Sequence, residues 1–141
     1  MNCKVGTFTE LREDSLKIRH IVFTVEQNID PSEDIDEYDE ISTHVVVYDD
    51  NNLPVSTARL IQSDGIYSIG RMATLKDCRG KGYGRIAVEA LIGWAKENDV
   101  NEIVVHAQKQ AEGFYQKLGF VSYGEIYLEV GIEHISMKKE L

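Results

Sequence analysis

"DCRGKGYGRIAVEALIGWA", residues 77–95, is the stretch on which the fold turns. Gly80, Gly82 and Gly84 sit at alternate positions among the basic residues Arg79, Lys81 and Arg85. Ala87, Leu91, Trp94 and Ala95 then recur at helical spacing, which predicts a helix from about Gly82 to Asn98. Just upstream, "GIYSIGRMATL" reads as a strand. A strand, a glycine loop flanked by cations and a helix N-terminus make an arrangement that binds phosphate: glycine lets the backbone come close, N–H groups converge, and the helix dipole favours an anion. A tight strand-to-helix turn with no ligand is the structural alternative. Two familiar nucleotide loops fail on spacing. Gly84 is followed by Arg85 and Ile86 rather than the Lys-Ser/Thr of a P-loop, and Arg85 occupies the place of the last glycine in a dinucleotide fingerprint.

Working outward, Cys3 to Phe8 reads as a short strand. From about Asp14 to Gln27, Ile18, Ile21, Val22, Val25 and then Ile29 form the stripe of an amphipathic helix. "HVVVYDDNNLPVSTARLI" reads as a hairpin turning around Asp49 to Asn52. After the glycine loop and its helix, "EIVVHA" has the β-branched composition of a buried strand. In "QAEGFYQKLGF", Ala111, Phe114, Tyr115 and Leu118 make a second helical stripe that stops at Gly119. Strands near Phe120 to Leu128 and Ile132 to Lys138 finish the chain. The fold class is α/β (mixed α+β), a mixed sheet with helices on its faces.

At 141 residues and 43% hydrophobic, with two prolines and no linker or repeat, the chain is expected to form one domain over residues 1–141. The polar start and the lack of any long apolar run predict a soluble cytoplasmic protein without membrane contact. Cys3 and Cys78 fit neither a metal site nor a disulfide framework, and His20, His44 and His106 show no metal-ligand spacing, so no metal is expected. A net charge of -9 argues against nucleic acid as a partner. Six acidic residues, Glu33, Asp34, Asp36, Glu37, Asp39 and Glu40, crowd into eight positions. They read either as a solvated loop or as a negative rim that attracts a cationic amine. Arg19 is placed to pair with them.

"RMATLKDCRGKGYGRIAVEALIGWA" followed by "VVHAQKQAEGFYQKLGF" resembles the acyl-CoA binding motif and downstream helix of the GNAT (Gcn5-related N-acetyltransferase) superfamily. The pattern Arg-x-x-Gly-x-Gly is met by Arg79, Gly82 and Gly84, and Ala-x-x-Phe-Tyr-x-x-x-Gly-Phe by Ala111, Phe114, Tyr115, Gly119 and Phe120. "RHIVFTVEQ" and "EVGIEHISMKK" are similar to the small bacterial ElaA-type branch. The resemblance implies the GNAT fold, with a largely antiparallel central sheet, and an acyl-CoA-dependent N-acyltransferase that moves an acetyl group from acetyl-CoA to a primary amine of a small molecule or peptide. It further implies that Met72, Ala73 and Thr74 line the pantetheine arm, and that Arg79, Gly80, Lys81, Gly82, Tyr83, Gly84 and Arg85 hold the pyrophosphate. Lys76 stands where many members have proline, and Gln108 where many have the asparagine of a cofactor contact.

Amine acetylation needs an unprotonated amine, a donor for the developing oxyanion and an acid for the departing thiolate. By resemblance Tyr115 is that acid; read alone, it also suits the apolar stripe as core. A backbone N–H of Met72 to Thr74 is the expected oxyanion donor. Glu26, Glu129 and His134 fall in segments that border the acceptor in the family, and each also has a plain reading as a surface charge or a sheet histidine. A non-catalytic acyl-CoA sensor or scaffold with the same fold is the alternative, separated from an enzyme by the release of free thiol in the presence of amines. A homodimer is left open.

Overall fold

The computed structural model describes residues 2–141, with Glu33 by its backbone alone. The elements are strand β1 (Asn2–Gly6), helix α1 (Phe8–Arg19), the short helix α2 (Pro31–Asp34), strands β2 (Thr43–Tyr48), β3 (Pro54–Ser63) and β4 (Ile66–Thr74), helix α3 (Tyr83–Glu97), strand β5 (Glu102–Gln108), helix α4 (Glu112–Lys117), and strands β6 (Val121–Glu129) and β7 (Ile132–Glu140). One seven-stranded sheet runs β1-β2-β3-β4-β5-β7-β6. Neighbours are antiparallel except β4 and β5, which the α3 crossover makes parallel. This is the mixed, largely antiparallel sheet that the sequence predicts. No described helix is long and apolar enough to cross a membrane.

The first helix departs from expectation. It starts at Phe8 rather than Asp14, because Thr7 and Glu10 close a capping box: the Glu10 N–H donates to Thr7 Oγ1 and the Thr7 N–H to the Glu10 carboxylate. Past Arg19 the chain continues as a π-helical turn, His20–Glu26, in which the Gln27 N–H reaches the Val22 carbonyl five residues back. That wider turn rotates the predicted stripe. Ile18 and Val22 stay buried, whereas Ile21 and Val25 turn outward.

Two apolar layers hold the sheet. On one face, Ala87, Val88 and Leu91 of α3 pack on Val45, Val47, Leu60, Ile69, Ile103, Val105 and Met137. On the other face, Leu11 and Ile18 of α1, with Val22, cover Val46, Tyr48 and Ala73. Helix α1 reaches only as far as β4 on that face. The half of it made by β5, β7 and β6 presents His106, Tyr127, His134 and Ser136, and none of these is buried.

Candidate active site

Strands β4 and β5 pair only from Tyr67↔Ile103 to Ile69↔Val105, although β4 runs on to Thr74 and β5 to Gln108. Beyond that point the two strands part. Strand β4 is irregular there: Arg59 stands opposite Gly70 and Thr57 opposite Ala73, so β4 carries one more residue than β3 between those rungs, and Arg71 has φ of 48°. Arg71 is held from outside the sheet, its Nη2 donating to Asp36 Oδ2 at 3.2 Å and its Nε to the Asp34 carbonyl at 3.2 Å.

A cavity of about 370 Å³ is bordered by Met72 and Thr74 of β4, by Gly80, Gly82 and Gly84, and by Phe114 of α4. The glycines serve two purposes. Gly80 and Gly82 have φ of 78° and 88°, with nothing within 4 Å of where a Cβ would point, so they shape an open concavity. A Cβ on Gly84 would stand 2.8 Å from Met72 Cε, so this glycine lets the first turn of α3 close on β4. Tyr83, Arg79 and Arg85 also border the cavity, and Lys81 is exposed beside it. Ala73 is buried beneath α1, so only its backbone faces this way. Gln108, at the end of β5, accepts from Gln110 Nε2 at 2.8 Å.

Tyr115 projects from α4 toward β4. Its ring lies edge-on between Phe114 and Phe120, at centroid distances of 5.0 and 5.6 Å, and its hydroxyl donates to Met72 Sδ at 3.3 Å. Burial pushes the phenol up to about 12, which keeps it protonated at neutral pH. A thioether sulfur is a weak acceptor, so the hydroxyl is free to turn to a better one.

Arg79 and Glu26 find each other. Both guanidinium Nη atoms donate to the Glu26 carboxylate, at 2.7 and 2.6 Å, and Nε donates to the Thr74 carbonyl at 3.0 Å. Those hydrogen bonds hold Glu26 below the usual carboxylate range. The ion pair ties the π-helical turn to the glycine loop, so these two sequence candidates stand together.

Half of the acidic run is a buried network rather than a solvated loop or a rim: Asp34 and Asp39 are buried and Asp36 is half-buried. Asp39 is fully buried and accepts from Arg19 Nη1 at 2.7 Å, Arg59 Nη1 at 2.8 Å and the Asp36 N–H at 3.1 Å. Asp34 accepts from Arg19 Nε at 3.0 Å, and Asp36 from both Nη atoms of Arg59. His44, also buried, meets the Asp39 carbonyl at 2.8 Å through Nε2. Burial alone would raise the Asp39 pKa, but hydrogen bonds from Arg19, the Asp36 N–H and Arg59 outweigh it and bring the group down to about 2. Glu37 and Glu40 remain exposed, and the Glu33 side chain lies outside the described residues. Arg19 pairs as its position suggests. Arg59 and Arg71 are partners that sequence reasoning missed, although a charge inside a β-branched strand, as at Arg59, is itself a signal of a buried pair.

The remaining candidates meet on the sheet face that α1 leaves open. His134 Nδ1 lies 2.8 Å from the Ile132 carbonyl and Nε2 lies 3.8 Å from Glu129 Oε2. The Tyr127 ring stacks on the His134 ring at 5.7 Å and 26°, and both Tyr127 Oη and Ser136 Oγ stand 3.4 Å from His106 Nδ1. His134 is the register partner of Gln108, so this cluster borders the stretch of β5 that has left β4. Tyr127 and His106 were not singled out as site residues from sequence. The β6–β7 register that gathers them is long-range and carries no local signature.

Comparison with known proteins agrees with this geometry. Residues 17–141 match the family model for the acetyltransferase (GNAT) domain. The chain is 35% identical to YjcF of Bacillus subtilis, an uncharacterized N-acetyltransferase, over 99% of this chain and all of YjcF. The crystal structure of Escherichia coli ElaA superimposes with a TM-score of 0.86 at 28% identity, covering 99% of this chain and 100% of that one. An acyl-CoA N-acyltransferase from Pseudomonas aeruginosa does so with a TM-score of 0.85 at 26% identity, covering 98% of each. A bulged β4 that parts from β5, a glycine loop opening α3 and a matching sequence family agree: the chain belongs to the GNAT family of acetyltransferases.

Proposed function

We propose that the protein transfers an acetyl group from acetyl-CoA to a primary amine of a small molecule or peptide. The observation that carries this reading is the Tyr115 hydroxyl, protonated and aimed at a sulfur atom at the edge of the glycine-loop cavity. The residues present fit the donor. Open space at Gly80 and Gly82 leaves room for the pyrophosphate against backbone N–H groups, with Arg79, Lys81 and Arg85 nearby for its charge. Beyond Ile69, β4 has no ladder toward β5, so Met72, Ala73 and Thr74 can pair through their backbone with the pantetheine amides, and Gln108 stands on the facing strand. A backbone N–H of that stretch then serves the thioester oxyanion. The amine enters from the opposite face, where Glu129 and His134 lie. Glu26 acts through Arg79 on the glycine loop.

Acetyl-CoA is expected to raise the melting temperature, with ATP and NAD doing much less, because a ligand that binds only the native state stabilises it by mass action. Gly82→Val should remove the rise, since it places a side chain in the concavity at a left-handed φ. Thiol release with spermidine, glucosamine or lysine methyl ester then tests transfer. A melting-temperature rise without thiol release from any amine would leave an acyl-CoA-binding protein, and an undiminished rise in the Gly82 variant would remove the loop assignment.

A further inference from the structure

We infer that His134 is the general base of the reaction, taking the amine proton on Nε2, with Glu129 stabilising the imidazolium that results; this rests on the acyl-transfer reading above. The argument starts from the tautomer. A backbone carbonyl can only accept, so the 2.8 Å contact with the Ile132 carbonyl requires the hydrogen on Nδ1. A neutral ring then carries its lone pair on Nε2. That atom has a carboxylate as its recorded neighbour, Glu129 Oε2 at 3.8 Å, which offers it no hydrogen. Once Nε2 carries a proton, that carboxylate is the counter-charge beside it. Glu129 is 60% exposed and His134 12%, so the carboxylate faces solvent, where an incoming ammonium can first meet it.

The ring is also fixed in place. The Tyr127 ring covers one face of it, stacked at 5.7 Å and 26°. The titratable groups facing it are Glu129 and Tyr127 of β6 and His106 of β5. Register places His134 beside Gln108, on the part of β5 that has separated from β4. The base therefore stands one strand from the gap through which the thioester is delivered.

The proton account closes. A bound ammonium gives one proton to His134 Nε2, which returns it to solvent. The neutral amine attacks the thioester carbonyl carbon, the C–N bond forms and the C–S bond breaks. The thiolate takes the Tyr115 proton, and the phenolate is refilled by the proton that the new amide nitrogen loses. The net change is an ammonium and a thioester to an amide, a thiol and one proton.

Two measurements test the proposal. In ¹⁵N-labelled protein, the His134 ring signals, identified by their absence in His134→Gln, should show the Nδ1–H tautomer at high pH. Glu129→Gln should leave that tautomer in place, because the Ile132 carbonyl and not Glu129 fixes it. A ring with its hydrogen on Nε2 overturns the proposal even where no amine is turned over. With spermidine, glucosamine or lysine methyl ester as acceptor, His134→Gln should reduce kcat by ~10²-fold or more, abolish the acid limb of the pH profile and leave the acetyl-CoA melting shift in place. An unchanged pH profile and kcat in that variant overturns the base while leaving acyl transfer intact. Failure of acyl transfer itself would appear in the unmodified protein.

Discussion

Tyr115→Phe is expected to lower kcat by ~10²- to 10⁴-fold, the range that a positioned general acid contributes, while acetyl-CoA binding stays nearly unchanged. The size of the effect follows from what the leaving group needs. A thiolate departing from a tetrahedral centre beside Met72 and Phe114 needs a proton, and the Tyr115 hydroxyl already points at a sulfur on that wall. Removing that oxygen should cost the fold little. Among the described residues the hydroxyl meets the Met72 thioether, and the ring keeps its edge contacts with Phe114 and Phe120. The measurement is kcat against melting temperature in one variant. A loss of stability that accounts for the lost activity would make Tyr115 a packing residue instead.

Asp39→Asn should destabilise the protein by ~3–5 kcal/mol, because it leaves the buried guanidinium groups of Arg19 and Arg59 short of a charge. At this chain length that corresponds to roughly 10 °C or more of melting temperature. Glu37→Gln, on an exposed carboxylate of the same segment, should change it within about 0.5 kcal/mol. The pH dependence has a definite sign. The folded-state pKa of Asp39 lies at about 2, below the 3.8 of an unperturbed aspartate, so its contribution is present above pH 3.8 and lost as pH falls toward 2. Acid titration of chemical stability should therefore lose a component between those values in Asp39→Asn. Replacing Asp36, Glu37 and Asp39 together by amides should unfold the protein rather than alter its choice of amine. Retained stability with altered acceptor use would restore the picture of an acidic rim.

The contrast between the glycine loop and the acidic run explains what the sequence discloses. Arg79 to Arg85 are contiguous, and their spacing reports backbone geometry directly, so the loop, α3 and the later Phe114-Tyr115 helix were legible. The partners of Asp34, Asp36 and Asp39 lie in α1, β3 and β4, brought together only by the fold. Charge counted along the chain therefore suggested solvent where the structure has a buried network. The π-helical turn was hidden for a related reason. A stripe drawn at 3.6 residues per turn assigns Val25 to the core, and the wider turn exposes 65% of it. The bulge at Arg71 left no mark, since nothing local distinguishes "GRMA" from regular strand.

The short parallel ladder between β4 and β5 also divides the molecule energetically. Only three residue pairs, Tyr67↔Ile103, Ser68↔Val104 and Ile69↔Val105, join the two parts of the sheet along their backbones, and α3 bridges them from one side. Strands β5, β7 and β6 are thus expected to open as a cooperative unit of lower free energy than β2, β3 and β4, which are covered on both faces. Amide hydrogens of β5 and β7 should exchange faster than those of β2 and β3 in the free protein. A ligand spanning the parting would clamp the two units together, so acetyl-CoA should slow exchange most in β5 and β7, away from the glycine loop.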